Sequence, residues 1–251
     1  MRLDARAVEQ YRRDGFLFLD NLFSPEEVDC MAKALDGGRV AETADTTTDG
    51  SGKTVRQSIW FEVGDDVWSA VSTAPKLLHN IRLLMGEEVS FFHGKANLKE
   101  ARTGGAWEWH QDYGYWYNEG FLYPHMISAY VSIDPSTVQN GCLKVLRGSH
   151  RLGRLDHGRV GRQTAIDPLR IAQVEAMYEL VECEMSAGSV LIFDCNLLHC
   201  SAANHSDFHR RSYISCYSAC GNPQVTADGV VYREPCPTGG EDGFARFVGG
   251  R

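Results

Sequence analysis

From residue 89 to residue 217 the chain consists mainly of short strand-like segments separated by turns that contain glycine or proline. These segments do not alternate with helical segments, as strands do in a Rossmann fold or a TIM barrel. Short strands in this arrangement favour a jelly roll. We therefore predict a mainly β fold with flanking helices, specifically a double-stranded β-helix of the cupin-like kind. The predicted strands are 89–99, 107–112, 126–133, 141–145, 180–183, 189–193 and 213–217.

Helical signals precede this β region. Residues 4–13 have a helical pattern that ends at Gly15, and the apolar segment 16–19 follows as a short strand. Ser24, Pro25 and Glu27 form the pattern of a capping box, which predicts the start of a second helix. The apolar spacing in residues 65–85 predicts a further helical region, interrupted at Pro75.

Length and charge restrict the class of protein. A chain of 251 residues with 43% hydrophobic content can bury one large core, so we expect a single domain over residues 1–251. The net charge of −8 and the absence of a lysine or arginine block argue against nucleic acid or a membrane surface as partner. No apolar leader or long apolar run occurs, which predicts a cytoplasmic protein with reduced, buried cysteines. The oligomeric state is not predicted.

Two polar segments have the composition of surface loops. Residues 41–53 are small, polar and rich in glycine, and residues 147–174 form a long polar insert between predicted strands. An ordinary surface position explains both. The alternative is that they cover the mouth of a site and become ordered when substrate binds.

Two histidines and one aspartate are candidate metal ligands. His110 and Asp112 are two residues apart, so a strand would direct both side chains to one face. His199 follows a later predicted strand and supplies a third ligand. Two imidazoles and one carboxylate leave open positions on Fe(II), although zinc hydrolases use similar ligands. A local zinc site at His199, Cys200, His205 and His209 has irregular spacing and is a weaker alternative.

The candidate ligands stand beside two further features. Arg210 and Arg211 lie eleven and twelve residues after His199, and a guanidinium can bind the carboxylate of a keto acid in bidentate fashion. A zinc hydrolase has no need of that contact. The aromatic residues on both sides of the motif suit a ligand pocket, with core packing as the alternative; they are Trp107, Trp109, Tyr113, Tyr115, Trp116 and Tyr117.

These motifs resemble those of the phytanoyl-CoA dioxygenase family of Fe(II)/2-oxoglutarate-dependent oxygenases. The resemblance extends from the first helix to about Tyr217. Its specific parts are Trp109-His-Gln-Asp112, Asn140-Gly-Cys-Leu-Lys-Val-Leu-Arg-Gly-Ser-His150, and His199-Cys-Ser201 followed by Arg210.

The resemblance implies roles for individual residues. His110, Asp112 and His199 would bind Fe(II), and Arg210 would hold the distal carboxylate of 2-oxoglutarate, with Arg211 as the alternative. Other residues implied at the cosubstrate or substrate are Ser201, Asn97, Tyr130, His93 or Lys95, and Gln57. A structural hydrogen bond is an equal alternative for His93 and Lys95.

The resemblance also implies an activity. Such an enzyme uses O₂ to hydroxylate or oxidatively cyclise a small-molecule natural product. The length and the aromatic segment resemble the oxygenases that tailor bacterial antibiotics, which makes an oligosaccharide substrate one hypothesis. Asp112 stands where halogenating relatives lack a carboxylate, so halogenation is disfavoured. The alternatives are a metal-binding jelly roll without catalysis and a zinc-dependent hydrolase.

Overall fold

The computed structural model describes residues 2–248, and the chain begins with a capped helix. Helix α1 (Ala5–Asp14) begins where the Asp4 side chain accepts a hydrogen bond from the Ala7 amide and ends at Gly15. Gly15 has a φ of 82°, a left-handed conformation that glycine adopts without strain. Strand β1 (Phe16–Leu19) follows directly, as predicted.

The remaining helices precede or flank the sheets. Helix α2 (Pro25–Lys33) has the predicted capping box, in which Ser24 and Glu27 each accept a backbone hydrogen bond from the other. The predicted interruption at Pro75 is also present, because one helix ends at Ser72 and the next begins at Pro75. These helices are α3 (Gly38–Glu42), α4 (Val67–Ser72), α5 (Pro75–Met85), α6 (Asp112–Trp116) and α7 (Pro168–Glu175).

Two antiparallel sheets form the jelly roll, and the predicted fold class is confirmed. The larger sheet has seven strands in the order β1, β11 (Val190–Asp194), β6 (Met126–Ser132), β13 (Arg210–Ala219), β4 (Val89–Lys99), β3 (Thr54–Trp60) and β2 (Ala44–Thr48). The smaller sheet has four strands in the order β10 (Leu180–Cys183), β7 (Leu143–Leu146), β12 (His199–Ser201) and β5 (Trp107–His110). Two hairpins complete the β structure, β8 (His157–Val160) with β9 (Gln163–Ile166) and β14 (Gln224–Thr226) with β15 (Gly229–Val231).

The alternation of side chains in the seven-stranded sheet divides the core in two. Residues such as Ala96, Val131 and Tyr213 face outward and pack against the N-terminal helices. Their neighbours Tyr130 and Ile214 face inward, toward the four-stranded sheet. Candidate site residues on β4, β6 and β13 therefore point into the interior of the jelly roll.

Two predictions of local structure were wrong. Strand β5 ends at His110, and Asp112 is the first residue of α6, so a shared strand face does not bring His110 and Asp112 together. Residues 41–53 are not an irregular loop, because β2 and β3 form a hairpin there. The buried Asp49 carboxylate holds its turn by accepting hydrogen bonds from the amides of Ser51 and Lys53, each at 2.9 Å.

Within residues 2–248 no helix is long and apolar enough to cross a bilayer. All eight cysteines are free, and six of them are buried. Burial of a free thiol as a small apolar group agrees with the prediction of reduced, packed cysteines.

Candidate metal centre and cosubstrate site

Pairing of two short strands brings His110 and His199 together. They are opposite residues in the β5–β12 ladder, and their ring centroids are 4.0 Å apart. Each ring is oriented by a local backbone carbonyl: Nδ1 of His110 donates to Glu108 O at 2.8 Å, and Nδ1 of His199 donates to Leu197 O at 2.9 Å. This assignment of the protons leaves both Nε2 atoms free as ligands.

Asp112 completes the set from the start of α6. Its Oδ1 lies 3.9 Å from Nε2 of His110 and 3.9 Å from Nε2 of His199. Its Oδ2 accepts a hydrogen bond of 2.7 Å from the Ser128 hydroxyl on β6. The three residues are buried, and their ligand atoms lie within 4.8 Å of one another. One metal ion fits between them.

The electrostatics of this triad favour metal binding at neutral pH. Burial lowers the pKa values of His110 and His199. Burial opposes ionisation of Asp112, but the two imidazoles in their protonated form, Lys95 and the Ser128 hydrogen bond together outweigh it and lower its pKa to about 2. Neutral imidazoles and an ionised carboxylate are the protonation states that a metal ligand requires.

A buried arginine faces the same interior. Arg210 is the first residue of β13, and it is 4% exposed. Its Nη1 donates a 2.7 Å hydrogen bond to the Tyr130 hydroxyl. Its Nε is buried without a partner, and no carboxylate of residues 2–248 pairs with it. A buried guanidinium without a counter-charge lowers the stability of the fold. The carboxylate of a ligand would supply both the charge and the hydrogen-bond acceptors.

A buried lysine lies beside this arginine. Lys99 is the partner of Arg210 in the β4–β13 ladder, and its Nζ donates to the Ser201 hydroxyl at 2.8 Å. Burial lowers the pKa of Lys99 well below its usual value, and the charge of Arg210 lowers it further. Sequence reasoning gave Lys99 no role, although its position on the inward face of β4 was a usable signal.

Arg211 points in the opposite direction along the strand. Its Nε and Nη2 each donate a 2.8 Å hydrogen bond to the Asp134 carboxylate. Successive side chains of a strand point to opposite faces of the sheet, so Arg210 and Arg211 face different surroundings. Of the two arginines left open by the sequence, the structure therefore brings Arg210 to the cavity.

A cavity that is open on one side lies beside the triad. Four predicted cosubstrate residues line it, namely Asn97, Tyr130, Ser201 and Arg210. Gln57 is half-buried and pairs with Asn97 in the β3–β4 ladder, but it does not line the cavity. His93 is also absent from its wall, whereas Lys95 is present. The other wall residues are Val55, Leu98, Lys99, Trp107, His110, Leu143, His199 and Ile214.

The aromatic segment contributes less to the cavity than its composition indicated. Trp107 lines the cavity, but Tyr113 and Trp116 are 4% and 3% exposed and belong to the interior apolar core. Tyr117 is 40% exposed and lies under the Arg154 guanidinium. Core packing therefore accounts for most of this segment.

Gln111 connects the metal ligands to the long insert. Its buried side chain donates to Gly153 O and Asn196 O, and it accepts from the Leu155 amide at 2.8 Å. Its own amide donates to Nε2 of His157 at 3.0 Å. Gly114 permits the approach of His157, since a Cβ there would lie 2.1 Å from the imidazole. Residues 153–157 are thereby fixed beside the triad.

Comparison with known proteins is consistent with this geometry. The sequence profile of the phytanoyl-CoA dioxygenase (PhyH) family matches residues 11–212, a span that contains the triad and Arg210. The chain belongs to this family. The predictions of an Fe(II)- and 2-oxoglutarate-dependent dioxygenase are confirmed, and the zinc-hydrolase and non-catalytic alternatives are not supported.

Two enzymes of known activity are moderately similar to this chain. An ectoine dioxygenase of Bordetella bronchiseptica is 28% identical over 88% of this chain and 77% of its own length. An L-proline trans-4-hydroxylase of Streptomyces griseoviridis is 27% identical over 84% of each chain.

Solved structures extend the comparison. The structure of EctD from S. alaskensis with bound Fe superposes with a TM-score of 0.76 at 26% identity, covering 95% of this chain and 85% of that one. The carbocyclase SnoK from nogalamycin biosynthesis has a TM-score of 0.71 at 18% identity, covering 95% and 94%, which indicates a shared fold alone.

Proposed function

We propose that this protein hydroxylates a C–H bond of a small-molecule substrate, with Fe(II) held by His110, Asp112 and His199. The proposed cosubstrate is 2-oxoglutarate, with one carboxylate at Arg210 and Lys99. Asn97, Tyr130 and Ser201 line the same cavity and would complete the polar wall around it.

One observation carries this proposal. Arg210 is buried with an unpartnered Nε, lies in the same cavity as two of the three metal ligands, and has no carboxylate partner in residues 2–248. A dicarboxylate that reached from the metal to Arg210 would satisfy both ends. A metal site whose reaction needed only water would leave this guanidinium uncompensated.

The residues of the chain have separable tasks in the reaction. Bound iron would couple O₂ reduction to the conversion of 2-oxoglutarate into succinate and CO₂, with the second oxygen atom entering the substrate as a hydroxyl. The carbonyl-oriented imidazoles and the Ser128-bound carboxylate keep the ligand atoms in place. Arg210 donates to the distal carboxylate, and the apolar wall at Val55, Leu143 and Ile214 limits water around the cosubstrate.

The relatives favour hydroxylation of a compact substrate. The similar proteins with a known activity are named for ectoine and L-proline. The same cavity must also contain the cosubstrate, which leaves limited space for a second molecule. Lys95 lines this space and has no ion-pair partner in the described chain. These features support a small polar substrate.

The hypothesis of an oligosaccharide antibiotic substrate has weaker support. It depended on the aromatic segment, from which Trp107 reaches the cavity wall while Tyr113 and Trp116 are packed in the core. The similarity to the nogalamycin enzyme concerns the fold. A saccharide remains a prediction that a substrate screen can test.

The test is succinate production from 2-oxoglutarate by purified protein with Fe(II) and O₂. We expect slow succinate formation without substrate and faster formation with a true substrate. Candidates are L-proline, ectoine, related cyclic amino acids and small saccharides, with mass spectrometry to detect the gain of one oxygen atom. Loss of two hydrogens instead would identify oxidative cyclisation or desaturation.

Two controls make this test decisive. Arg211→Ala removes an arginine of the same strand that pairs with Asp134, and it should retain activity. Arg210→Ala should lose it. Succinate formation that needs neither iron nor O₂, or that survives in Arg210→Ala at unchanged 2-oxoglutarate affinity, would refute the proposed function.

A further inference from the structure

A second group of polar side chains lies farther along the inward face of β4, beyond the cosubstrate cavity. His93 pairs with Cys216, and Cys216 pairs with Ser128, whose hydroxyl binds Asp112. His93 and Ser128, the hydrogen-bond partner of Asp112, therefore lie at the same level across three neighbouring strands. Lys95 occupies the next row on the same strand face, at the cavity wall.

Aromatic rings surround His93. Its ring centroid lies 4.9 Å from Phe92, 5.7 Å from Trp116 and 6.0 Å from Phe61. Phe61 is 54% exposed, so this ring cluster reaches the surface on one side. Phe92 in turn packs against Phe121 at 4.9 Å.

The C-terminal segment adds a guanidinium to these rings. The Arg233 guanidinium carbon lies 5.1 Å from the Phe92 ring centroid and 5.9 Å from that of Phe121. Its Nη2 donates a 2.8 Å hydrogen bond to Oε1 of Gln224, which fixes the direction of the side chain. Arg233 lies beyond the residues 11–212 that match the PhyH profile, so it is a feature of this chain outside the family match.

Two buried nitrogen atoms of this group lack partners. Nδ1 of His93 and Nε of Arg233 are buried without a hydrogen bond, and His93 is 6% exposed. Neither Lys95 nor Arg233 forms an ion pair with a carboxylate of residues 2–248, although the charges of Asp112 and Glu119 act on this group from a greater distance. Burial, with the added charge of Lys95, lowers the pKa of His93 to about 3, so His93 is neutral. Two cations and a neutral imidazole thus converge beside the metal ligands.

We propose that His93, Lys95 and Arg233 form a substrate subsite that binds a carboxylate, with Arg233 as a specificity-determining residue. This inference rests on the proposed function, because it assigns the chemical class of the substrate. A carboxylate in the subsite would accept hydrogen bonds from the unpaired donors and neutralise the cations. The aromatic rings would enclose the adjoining carbon skeleton and exclude water.

Acetate tests the subsite directly, because the smallest alkyl carboxylate fits wherever a larger one does. The protein is loaded with Fe(II) and saturating 2-oxoglutarate without O₂, so that the cosubstrate site is filled and no turnover occurs. Relaxation of the acetate methyl protons by paramagnetic Fe(II) is then measured by NMR. Acetamide, which has a similar size but no charge, is the control compound. We expect saturable relaxation of acetate that acetamide does not reproduce.

Variants of Arg233 test whether this residue is responsible for the binding of acetate. Arg233→Gln should weaken acetate binding roughly tenfold or more, the usual loss for a charged hydrogen bond. Arg246→Gln is the matched control, because Arg246 also lies over a ring of the C-terminal segment, that of Phe247, but pairs with Asp65. Arg233→Lys retains the charge and should bind acetate more tightly than Arg233→Gln, although less tightly than arginine does.

The outcomes separate this inference from the proposed function. The visible absorption band of the Fe(II) complex with 2-oxoglutarate is recorded first, and its absence contradicts the proposed function itself. A normal band with equal relaxation of acetate and acetamide overturns the subsite alone. Loss of acetate binding in both Arg233→Gln and Arg233→Lys assigns Arg233 to packing of the segment and overturns its role in specificity.

Discussion

Ser128 on β6 donates a 2.7 Å hydrogen bond to the Asp112 carboxylate, and so joins a metal ligand on a short helix to the seven-stranded sheet. The free Oδ1 of Asp112 then faces both imidazoles. This contact orients Asp112 as the backbone carbonyls of Glu108 and Leu197 orient the two histidines. Among residues 2–248, Ser128 is the one side chain that donates a hydrogen bond to this carboxylate.

We therefore expect Ser128→Ala to lower Fe(II) affinity roughly ten- to a hundredfold while the fold persists, a usual effect of losing a partner of a metal ligand. Equilibrium metal titration would measure it. Ser132→Ala is the matched control, since Ser132 is on the same strand face and its hydroxyl binds Asp134 O. Equal Fe(II) affinity in the two variants would contradict this account of Asp112.

Replacing His199 should abolish the metal site. His199→Ala leaves His110 and Asp112 without their third ligand, and we expect loss of stoichiometric iron and of 2-oxoglutarate turnover. Iron content after gel filtration and succinate formation are the measurements. His205→Ala is the control, because His205 follows the same strand and is not part of the triad. Full iron occupancy in His199→Ala would disprove the assignment.

The two adjacent arginines should differ in their effect on cosubstrate binding. Arg210→Ala removes a charge-assisted contact, and we expect roughly ten- to a hundredfold weaker 2-oxoglutarate affinity. Lysine at this position should restore it incompletely, because an ammonium lacks the planar pair of donors. Arg211→Ala should change stability through the lost Asp134 pair and leave the affinity unchanged. Calorimetric titration distinguishes these results.

The two segments that the sequence marked as candidate covers of the site touch each other. A Cβ on Gly161, in the β8–β9 turn, would lie 3.4 Å from Gly50 Cα in the β2–β3 turn. The Asp49 carboxylate also accepts a 2.8 Å hydrogen bond from the Ala106 amide next to β5. We predict that both hairpins gain protection together when substrate binds. That they order on binding stays a prediction.

This coupling can be tested before a substrate is known. Asp49→Ala should raise amide hydrogen exchange in residues 44–54 and also in residues 157–166, because the first hairpin loses its anchor. Asp45→Ala, in the same hairpin but exposed, is the control and should leave residues 157–166 unchanged. A response limited to residues 44–54 would refute the coupling.

One half-buried carboxylate outside the site predicts a dependence of stability on pH. Burial raises the pKa of Asp194, at the end of β11, from 3.8 to about 6. Its folded-state pKa exceeds the unfolded value, so its ionisation costs stability above about pH 6 and nothing below pH 3.8. Asp194→Asn should therefore raise the free energy of unfolding by roughly 1 kcal/mol at pH 7.5, after allowance for its partial exposure.

Urea unfolding at pH 7.5 and at about pH 4 checks the sign. Asparagine can retain the 2.8 Å contact that the Asp194 carboxylate makes with the Asn196 amide, so the comparison isolates the charge. The gain should shrink at the lower pH. A gain that is constant across this range would come from a cause other than ionisation.

Local signals accounted for the parts of this structure that were predicted correctly. The capping box at Ser24 was predicted at the correct residues, and the strand from Val89 to Lys99 was predicted with correct boundaries, because both depend on residues close in sequence. The triad was found because its residue types are unusual together. Its residues were correct, although the strand geometry assumed for Asp112 was not.

Contacts between distant residues decided the rest. The polar segment around Asp49 forms a hairpin because that carboxylate finds amide donors, including that of Ala106, which composition cannot reveal. Lys99 became a candidate only when Ser201 and Arg210 were seen beside it. Arg233 is separated from the ring cluster by more than a hundred residues of sequence, so no local pattern linked them.

The way in which Gln111 holds the insert bears on how such an enzyme can acquire a new substrate. The three groups that its side chain binds are the Gly153 carbonyl, the Leu155 amide and the Asn196 carbonyl, all of them backbone atoms. Side chains along residues 153–156 can therefore be exchanged while the attachment persists. An engineer could randomise these side chains to alter selectivity and leave the iron ligands undisturbed. Gln111 binds the backbone of the insert, so its hydrogen bonds do not depend on which residues the insert contains.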